Sequence, residues 1–322
     1  VAIGDTRFKI FVGGVLSPKT LEKFKAFVSA RNNPPAIVYF DSPGGDLASG
    51  MNLGTLIRRL GYASDVGAID KKTLQVRKGS CASACVFAYA GGTFRYLTAG
   101  STIGVHRFSS ADGKVSDSDL DVGQVVTAAS SAYFSEMGVS PEVIEKVALA
   151  DKDSLYVLTN AELLRYRVVN GGALAASWKI QAADGVLYLK GEQAKDSGHF
   201  KLQFLCLEES KSVAIMAWYE GGANGSKFSS DNAFHWLFVD MKQYALAKPI
   251  KTSSDGRYSV TLHALSKELV EKIQKAHSIG RGATSSKDAP TFYGFNIDIG
   301  IEDRSLVSGF FSYCGPTRVS GG

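Results

Sequence analysis

A candidate nucleophile lies in Gly79-Ser80-Cys81-Ala82-Ser83-Ala84-Cys85-Val86-Phe87-Ala88-Tyr89-Ala90-Gly91-Gly92. A serine followed by small and apolar residues predicts a turn into a buried helix. That geometry presents a side-chain hydroxyl and the next backbone N–H at one point, as a nucleophile and its oxyanion donor require. Ser83 then needs a base. His106, in Ile103-Gly104-Val105-His106, is the only histidine in the first half of the chain and so the only neutral-pH base available there. Upstream, Tyr39-Phe40-Asp41-Ser42-Pro43-Gly44-Gly45-Asp46 reads as a buried strand running into a glycine turn. Glycine lets the main chain approach a substrate carbonyl closely, so the N–H groups of Gly45 and Ala84 are the expected oxyanion donors. Each feature also has a plainer reading: Ser83 as a helix N-cap, His106 as a structural histidine, Pro43-Gly44-Gly45 as a simple strand-to-helix turn. The Gly-x-Ser-x-Gly elbow of lipases is absent, which disfavours that nucleophile architecture.

The three fragments, in this order, resemble the proteolytic subunit of the Clp protease and the wider Clp/crotonase superfamily. The matching pieces there are a Ser-Pro-Gly-Gly turn, an Ala-Ser nucleophile segment opening a helix, and a strand ending in the catalytic histidine. The resemblance spans roughly residues 7 to 170. It implies an α/β fold, a parallel sheet with helices, in which Ser83 attacks the acyl carbon of a protein or peptide substrate and His106 moves the proton. It also implies homo-oligomers, since relatives assemble into rings or stacked trimers, and no cofactor. In the family an aspartate lies a few residues before the last helix, and Asp151-Lys152-Asp153-Ser154 occupies that neighbourhood with neither aspartate in strict register. Asp153 is favoured as the residue that orients the imidazole, with Asp151 and an acid-free dyad as the alternatives. A rival reading is a non-catalytic binding or assembly protein that keeps the fold. Another is a crotonase-type acyl-CoA enzyme, but neither its acidic residue near the oxyanion donors nor an adenine site is legible.

The four cysteines fall two in each half. Cys81 and Cys85 flank Ser83 at i and i+4, a spacing that on a helical turn puts the Cα atoms about 6 Å apart, near the upper end of disulfide geometry. A bond there would pin the nucleophile turn. If Cys206 and Cys314 are bonded, they tie the start of the C-terminal region to its end, which points to an oxidising compartment. The alternative is four free buried thiols. The chain begins at Val1 without an initiator methionine, so removal of a preceding segment is expected, and the localisation read from both features is periplasmic or secreted. Zinc is not expected, because a Cys-x-x-x-Cys pair with one nearby histidine lacks a fourth ligand.

The elements that must position these residues follow from hydrophobic pattern. Phe8 to Val12 and Ala36 to Phe40 read as strands, the second continuously apolar as in a parallel sheet covered on both faces. Ser17-Pro18 opens one helix, and Leu47 to Leu60 forms another. Ala63 to Val66, Phe94 to Leu97 and Thr102 to His106 are further expected strands, with a loop or hairpin over Ala68 to Lys78. Helices are expected from Asp119 to Met137, from Ser140-Pro141 through Val147, and over Leu158 to Leu164. Beyond Asn170-Gly171-Gly172 the pattern becomes short alternating strands with Gly, Asn, Asp and Ser turns, an antiparallel sandwich or barrel with one helix at Lys267 to Ala276. Val307 to Tyr313 is expected as its last strand.

At 322 residues two domains are expected, a catalytic one over 1–174 and a β-rich one of unassigned role over 175–322. Apolar content of 45% and charged content of 21% are those of a globular protein. No apolar run approaches the ~20 residues that span a bilayer. The net charge of +5 is spread thinly, and its densest cluster, Lys71, Lys72, Arg77 and Lys78, reads as a solvated loop, so no nucleic-acid partner is expected. The histidines at 199, 235, 263 and 277 form no ligand spacing and read as structural.

Overall fold

A computed structural model of the chain describes residues 7–107, 117–150, 154–207, 212–220, 232, 234–254, 258–289 and 293–314. The chain packs as two compact units, Ala2–Gly172 and Ala173–Gly322, each around its own hydrophobic core.

In the first unit β1 (Phe8–Gly13), β2 (Ala36–Asp41) and β3 (Ala63–Val66) form a parallel sheet in that order. Helices α1 (Pro18–Ser29) and α2 (Leu47–Arg59) make the crossovers. The unbroken apolar run of β2 has its reason in two-sided burial: Val38 and Phe40 enter the main core, whereas Ile37 and Tyr39 join a second cluster with Ala63 on the other face. Each large side chain buried this way contributes roughly 1.5–3 kcal/mol. The hairpin β4 (Ala68–Ile69) and β5 (Val76–Arg77) carries the basic cluster, all four side chains exposed.

A second small sheet consists of β6 (Ser80–Ala82), β7 (Thr102–Val105) and β8 (Tyr156–Val157), the first pair parallel and the second antiparallel. Between β6 and β7 runs α3 (Ala84–Ala90), a helix with every residue buried. Helices α4 (Asp117–Glu136), α5 (Val143–Leu149) and α6 (Asn160–Arg165) follow, the last capped reciprocally by Thr159 and Glu162.

Phe94 to Leu97 does not form the expected strand; Arg95 pairs with Ser64 in a single bridge. Its side chain explains the departure. Only 2% exposed, Arg95 turns into the unit and donates to six carbonyls, those of Ala90, Gly92, Met137, Gly138, Arg167 and Val168. Arg58, from the end of α2, donates to three of the same oxygens. The two guanidiniums thus hold carbonyls at the C-terminal ends of α3 and α4, where cations are favoured. Burial lowers the Arg95 pKa to about 10, which leaves it charged at neutral pH.

The second unit is antiparallel. One sheet has the order β15-β16-β12-β11-β10-β9, with β9 (Ser177–Ala183), β10 (Val186–Lys195), β11 (Gly198–Leu207), β12 (Ser212–Glu220), β15 (Lys251–Ser254) and β16 (Tyr258–Ala264). The other has the order β14-β13-β17-β18, with β13 (Phe234–Val239), β14 (Lys242–Ala245), β17 (Ser278–Thr284) and β18 (Tyr293–Asp298). The helix expected at Lys267 is α7 (Lys267–Ile273).

Val307 to Tyr313 is not a strand but lies in a second helix, α8 (Arg304–Cys314). Its buried residues, Val307, Phe310, Phe311 and Cys314, recur at three- and four-residue intervals, which one helical face satisfies and a two-residue period does not. A disulfide joins Cys314 to Cys206 on β11, with Cα atoms 5.2 Å apart.

Inside this unit His263 is fully buried as a neutral ring. Its Nδ1 donates to the Ala247 carbonyl at 2.8 Å, and its Nε2 accepts from Arg281, 3.0 Å away. His235 packs on it with ring centroids 4.7 Å apart.

Among the described residues no helix is long and apolar enough to cross a membrane, and no cluster of His, Cys, Asp and Glu could hold a metal ion. The two disulfides are bonds of an oxidising compartment.

Candidate active site

Ser83 stands at the junction of β6 and α3 with φ 56° and ψ −126°, a conformation that L-residues rarely adopt. Such a backbone costs about 1–3 kcal/mol and persists only where the surroundings impose it. The surroundings are identifiable. On one side the Ser83 N–H donates to the Gly104 carbonyl of β7 at 3.0 Å; on the other the Val86 N–H returns to the Ser83 carbonyl at 2.9 Å. The Cys81–Cys85 disulfide closes over the turn, Cα atoms 5.3 Å apart, with one cysteine on the strand and the other on the helix rather than both on a helical turn.

The strand–serine–helix turn is therefore present, as the apolar run after Ser83 predicts, without the flanking glycines of the lipase motif. The space those glycines would clear is cleared by glycines on neighbouring segments. A Cβ on Gly44 would lie 2.7 Å from the Ser83 Cβ and 3.0 Å from the Ala84 nitrogen, and one on Gly50 of α2 would strike the Ala84 carbonyl. Gly54, one turn further along α2, would likewise meet the Phe87 carbonyl at 2.5 Å. The pair Gly50 and Gly54, four residues apart in an otherwise ordinary helix, was the sequence signal of this close helix packing and was passed over.

The glycine turn after β2 is fixed from both flanks. Ser42 N–H donates to Ser80 at 2.7 Å, and Ala82 N–H donates to the Ser42 carbonyl at 3.0 Å, a parallel bridge that fastens the turn to β6. Leu16 N–H donates to the Gly44 carbonyl at 2.7 Å, and Asp46 N–H donates to the Leu16 carbonyl at 3.0 Å. Asp46 then caps α2, and its hydrogen bonds from the Ser49 hydroxyl and N–H hold its carboxyl below the usual carboxylate range. Neither the Gly45 N–H nor the Ala84 N–H donates to any acceptor among the described residues. The structure thus brings Gly44 of the glycine turn against Ser83 and Ala84, with the Gly45 N–H one residue further along the turn.

His106 follows β7 directly and is partly exposed. Ala82 pairs with Gly104, so the histidine emerges one strand over and about two residues, ~6–7 Å of strand rise, past the pairing point. Its Nδ1 lies 2.9 Å from the Arg107 carbonyl, which can only accept, so Nδ1 is the donor of this hydrogen bond. Among the described residues no hydrogen bond joins His106 to Ser83. β8 runs antiparallel to β7 with Tyr156 opposite Val105. Asp151 and Asp153, the candidate acids, lie outside the described residues.

No protein-family model matches the chain, and no curated protein matches it. Solved structures similar to it are Clp-like proteases, aligned over about half its length. An alanine variant of the 1510-N membrane-bound stomatin-specific protease aligns with TM-score 0.39 and 20% identity over 51% of this chain and 77% of that one. A second variant of the same protease, in complex with a substrate peptide, aligns with TM-score 0.38 and 20% identity over 51% and 73%. ClpP1 from Listeria monocytogenes aligns with TM-score 0.38 and 19% identity over 50% and 88%.

Proposed function

We propose that the first unit is a serine hydrolase, a peptidase, of an exported protein. The observation that carries the reading is the strained Ser83 turn packed against Gly44, with the Gly45 and Ala84 N–H groups having no acceptor among the described residues. The strained backbone costs free energy, and the Ala84 N–H is buried with no acceptor among the described residues; a site that stabilises a developing oxyanion accounts for the two together.

In this reading the Ser83 hydroxyl oxygen attacks the substrate carbonyl carbon while the His106 Nε2 takes its proton. The tetrahedral oxygen sits between the Gly45 and Ala84 N–H groups. Collapse breaks the C–N bond as His106 returns the proton to the departing amine, and water repeats the sequence on the acyl-enzyme. Asp153, or Asp151, orients the imidazole. A productive complex needs the His106 ring drawn to Ser83, and such hydrogen bonds commonly tighten only with substrate bound. The exposed Val122 and Val125 on α4, Leu149 on α5 and Leu164 on α6 support assembly of the unit with further copies of itself.

Intact-mass labelling with a fluorophosphonate tests the reading. One adduct on the native chain, absent from Ser83→Ala, is the expected result; no adduct on a folded native chain overturns it. The second reading, a binding protein that kept the fold, draws on the missing Ser83–His106 hydrogen bond, and an unlabelled chain would favour it.

A further inference from the structure

We infer that Ser42 is the positioning residue of the oxyanion site, acting through the Gly44–Gly45 peptide; the inference rests on the hydrolase reading of Ser83. Ser42 is 2% exposed, and all of its polar atoms are engaged. Its main chain bonds to Ser80 and Ala82, the residues on either side of Cys81, and so ties the turn to the strand that delivers the nucleophile. Its hydroxyl donates to the Gly14 carbonyl at 2.6 Å and accepts the Gly44 N–H at 3.1 Å.

The direction of the free donor follows from these bonds. The peptide linking Gly44 to Gly45 is trans, so its N–H points opposite to its carbonyl. The carbonyl is held by Leu16 N–H, which turns the Gly45 N–H away from Leu16. The preceding peptide, whose N–H belongs to Gly44, is held by the Ser42 hydroxyl. With both neighbouring planes clamped, Gly45 N–H has one orientation although both glycines are at positive φ, where an unclamped pair moves freely.

Removing the hydroxyl leaves the buried Gly44 N–H without its partner, while the exposed Gly14 carbonyl can turn to water. The Gly44–Gly45 pair then samples other orientations, and the oxyanion loses a preorganised donor. Pro43 adds to the constraint by fixing its own φ and holding Ser42 extended.

The test compares the native chain with Ser42→Ala and Ser42→Thr, the second restoring a hydroxyl in an extended position that tolerates a β-branched residue. Fluorophosphonate labelling of Ser42→Ala is expected to slow by roughly 10–100-fold, with Ser42→Thr near the native rate. A second readout is the ratio of turnover on an ester to turnover on its thionoester, whose sulfur accepts hydrogen bonds weakly. That ratio is expected to fall in Ser42→Ala and KM to stay close to native. Native labelling with an equal rate for Ser42→Ala overturns the role of Ser42 alone. Equal slowing of both variants with an unchanged ester-to-thionoester ratio makes Ser42 a packing residue and also overturns it. A native chain that takes no label overturns the hydrolase reading and this inference with it.

Discussion

Gly44 lies against Ser83 so closely that one added carbon would bring the two Cβ atoms within 2.7 Å. The same carbon would approach the Ala82 carbonyl at 2.6 Å, and neither contact belongs to a flexible side-chain end. Gly44→Ala must therefore push the glycine turn away from Ser83. We expect labelling of Ser83 to fall about 100-fold or more, the cost typical of losing an oxyanion donor, with a loss of about 1–3 kcal/mol in stability. Gly61→Ala is the control, because Gly61 also has positive φ but nothing within 4 Å of an added Cβ. It should lower the melting temperature slightly and leave the labelling rate unchanged.

The two disulfides should separate activity from stability. Cys81–Cys85 closes a short loop over the nucleophile turn, and Cys206–Cys314 closes one with a sequence separation of 108. In the chain-entropy account the long loop contributes up to about 4–5 kcal/mol and the short one about 2. The Cys81→Ala, Cys85→Ala double variant is expected to fold and to label at least 10-fold more slowly, since nothing covalent then holds the strained Ser83 turn. The Cys206→Ala, Cys314→Ala variant should lose denaturation midpoint in the second unit while Ser83 labels as before. An undiminished labelling rate in the first variant would show that packing alone sustains the elbow.

His263 and His235 should make the second unit acid-labile. Desolvation, reinforced by the Arg281 charge, lowers the His263 pKa to about 3 and that of His235 to about 4. In the unfolded chain both titrate near 6.5, so below that pH the unfolded state binds more protons. Their contribution to stability is complete above about pH 6.5 and is lost as the pH falls through the folded values. A proton added to His263 Nε2 would face a guanidinium in place of accepting from it. All three tryptophans, Trp178, Trp218 and Trp236, belong to this unit, so tryptophan emission follows it selectively. Melts followed by emission should drop progressively between pH 6.5 and 4. His263→Gln should flatten that dependence, and a slope unchanged by the substitution would remove His263 as its source.

The main-chain frame of the candidate site was legible because it rests on glycine and serine segments whose types announce a turn. The Ser-Pro-Gly-Gly turn, the serine opening an apolar helix and the strand ending in His106 are local patterns. The devices that make the turn possible are not local. Gly50 serves Ala84, and Ser42 serves Gly14, across distances that one sequence does not encode as a period. The same holds for Arg95, expected in a strand from its apolar neighbours, whereas the distant carbonyls of Met137, Gly138, Arg167 and Val168 help decide its position. In the second unit β17, Ser278-Ile279-Gly280-Arg281-Gly282-Ala283-Thr284, has no strand signature in the sequence: it neither alternates nor is continuously apolar, its arginine being buried among polar partners. α8 was read as a strand because a short window containing Phe310 and Phe311 fits two periods, and only the buried face chooses between them.

The guanidiniums of Arg58 and Arg95 serve the same helix ends. Both hold the carbonyls of Ala90 and Gly92, at the end of the helix that Ser83 opens, together with that of Met137, at the end of α4. The carbonyl ends of the two helices thus share one pair of cations, so removing both guanidiniums would leave the ends of α3 and α4 unsatisfied together.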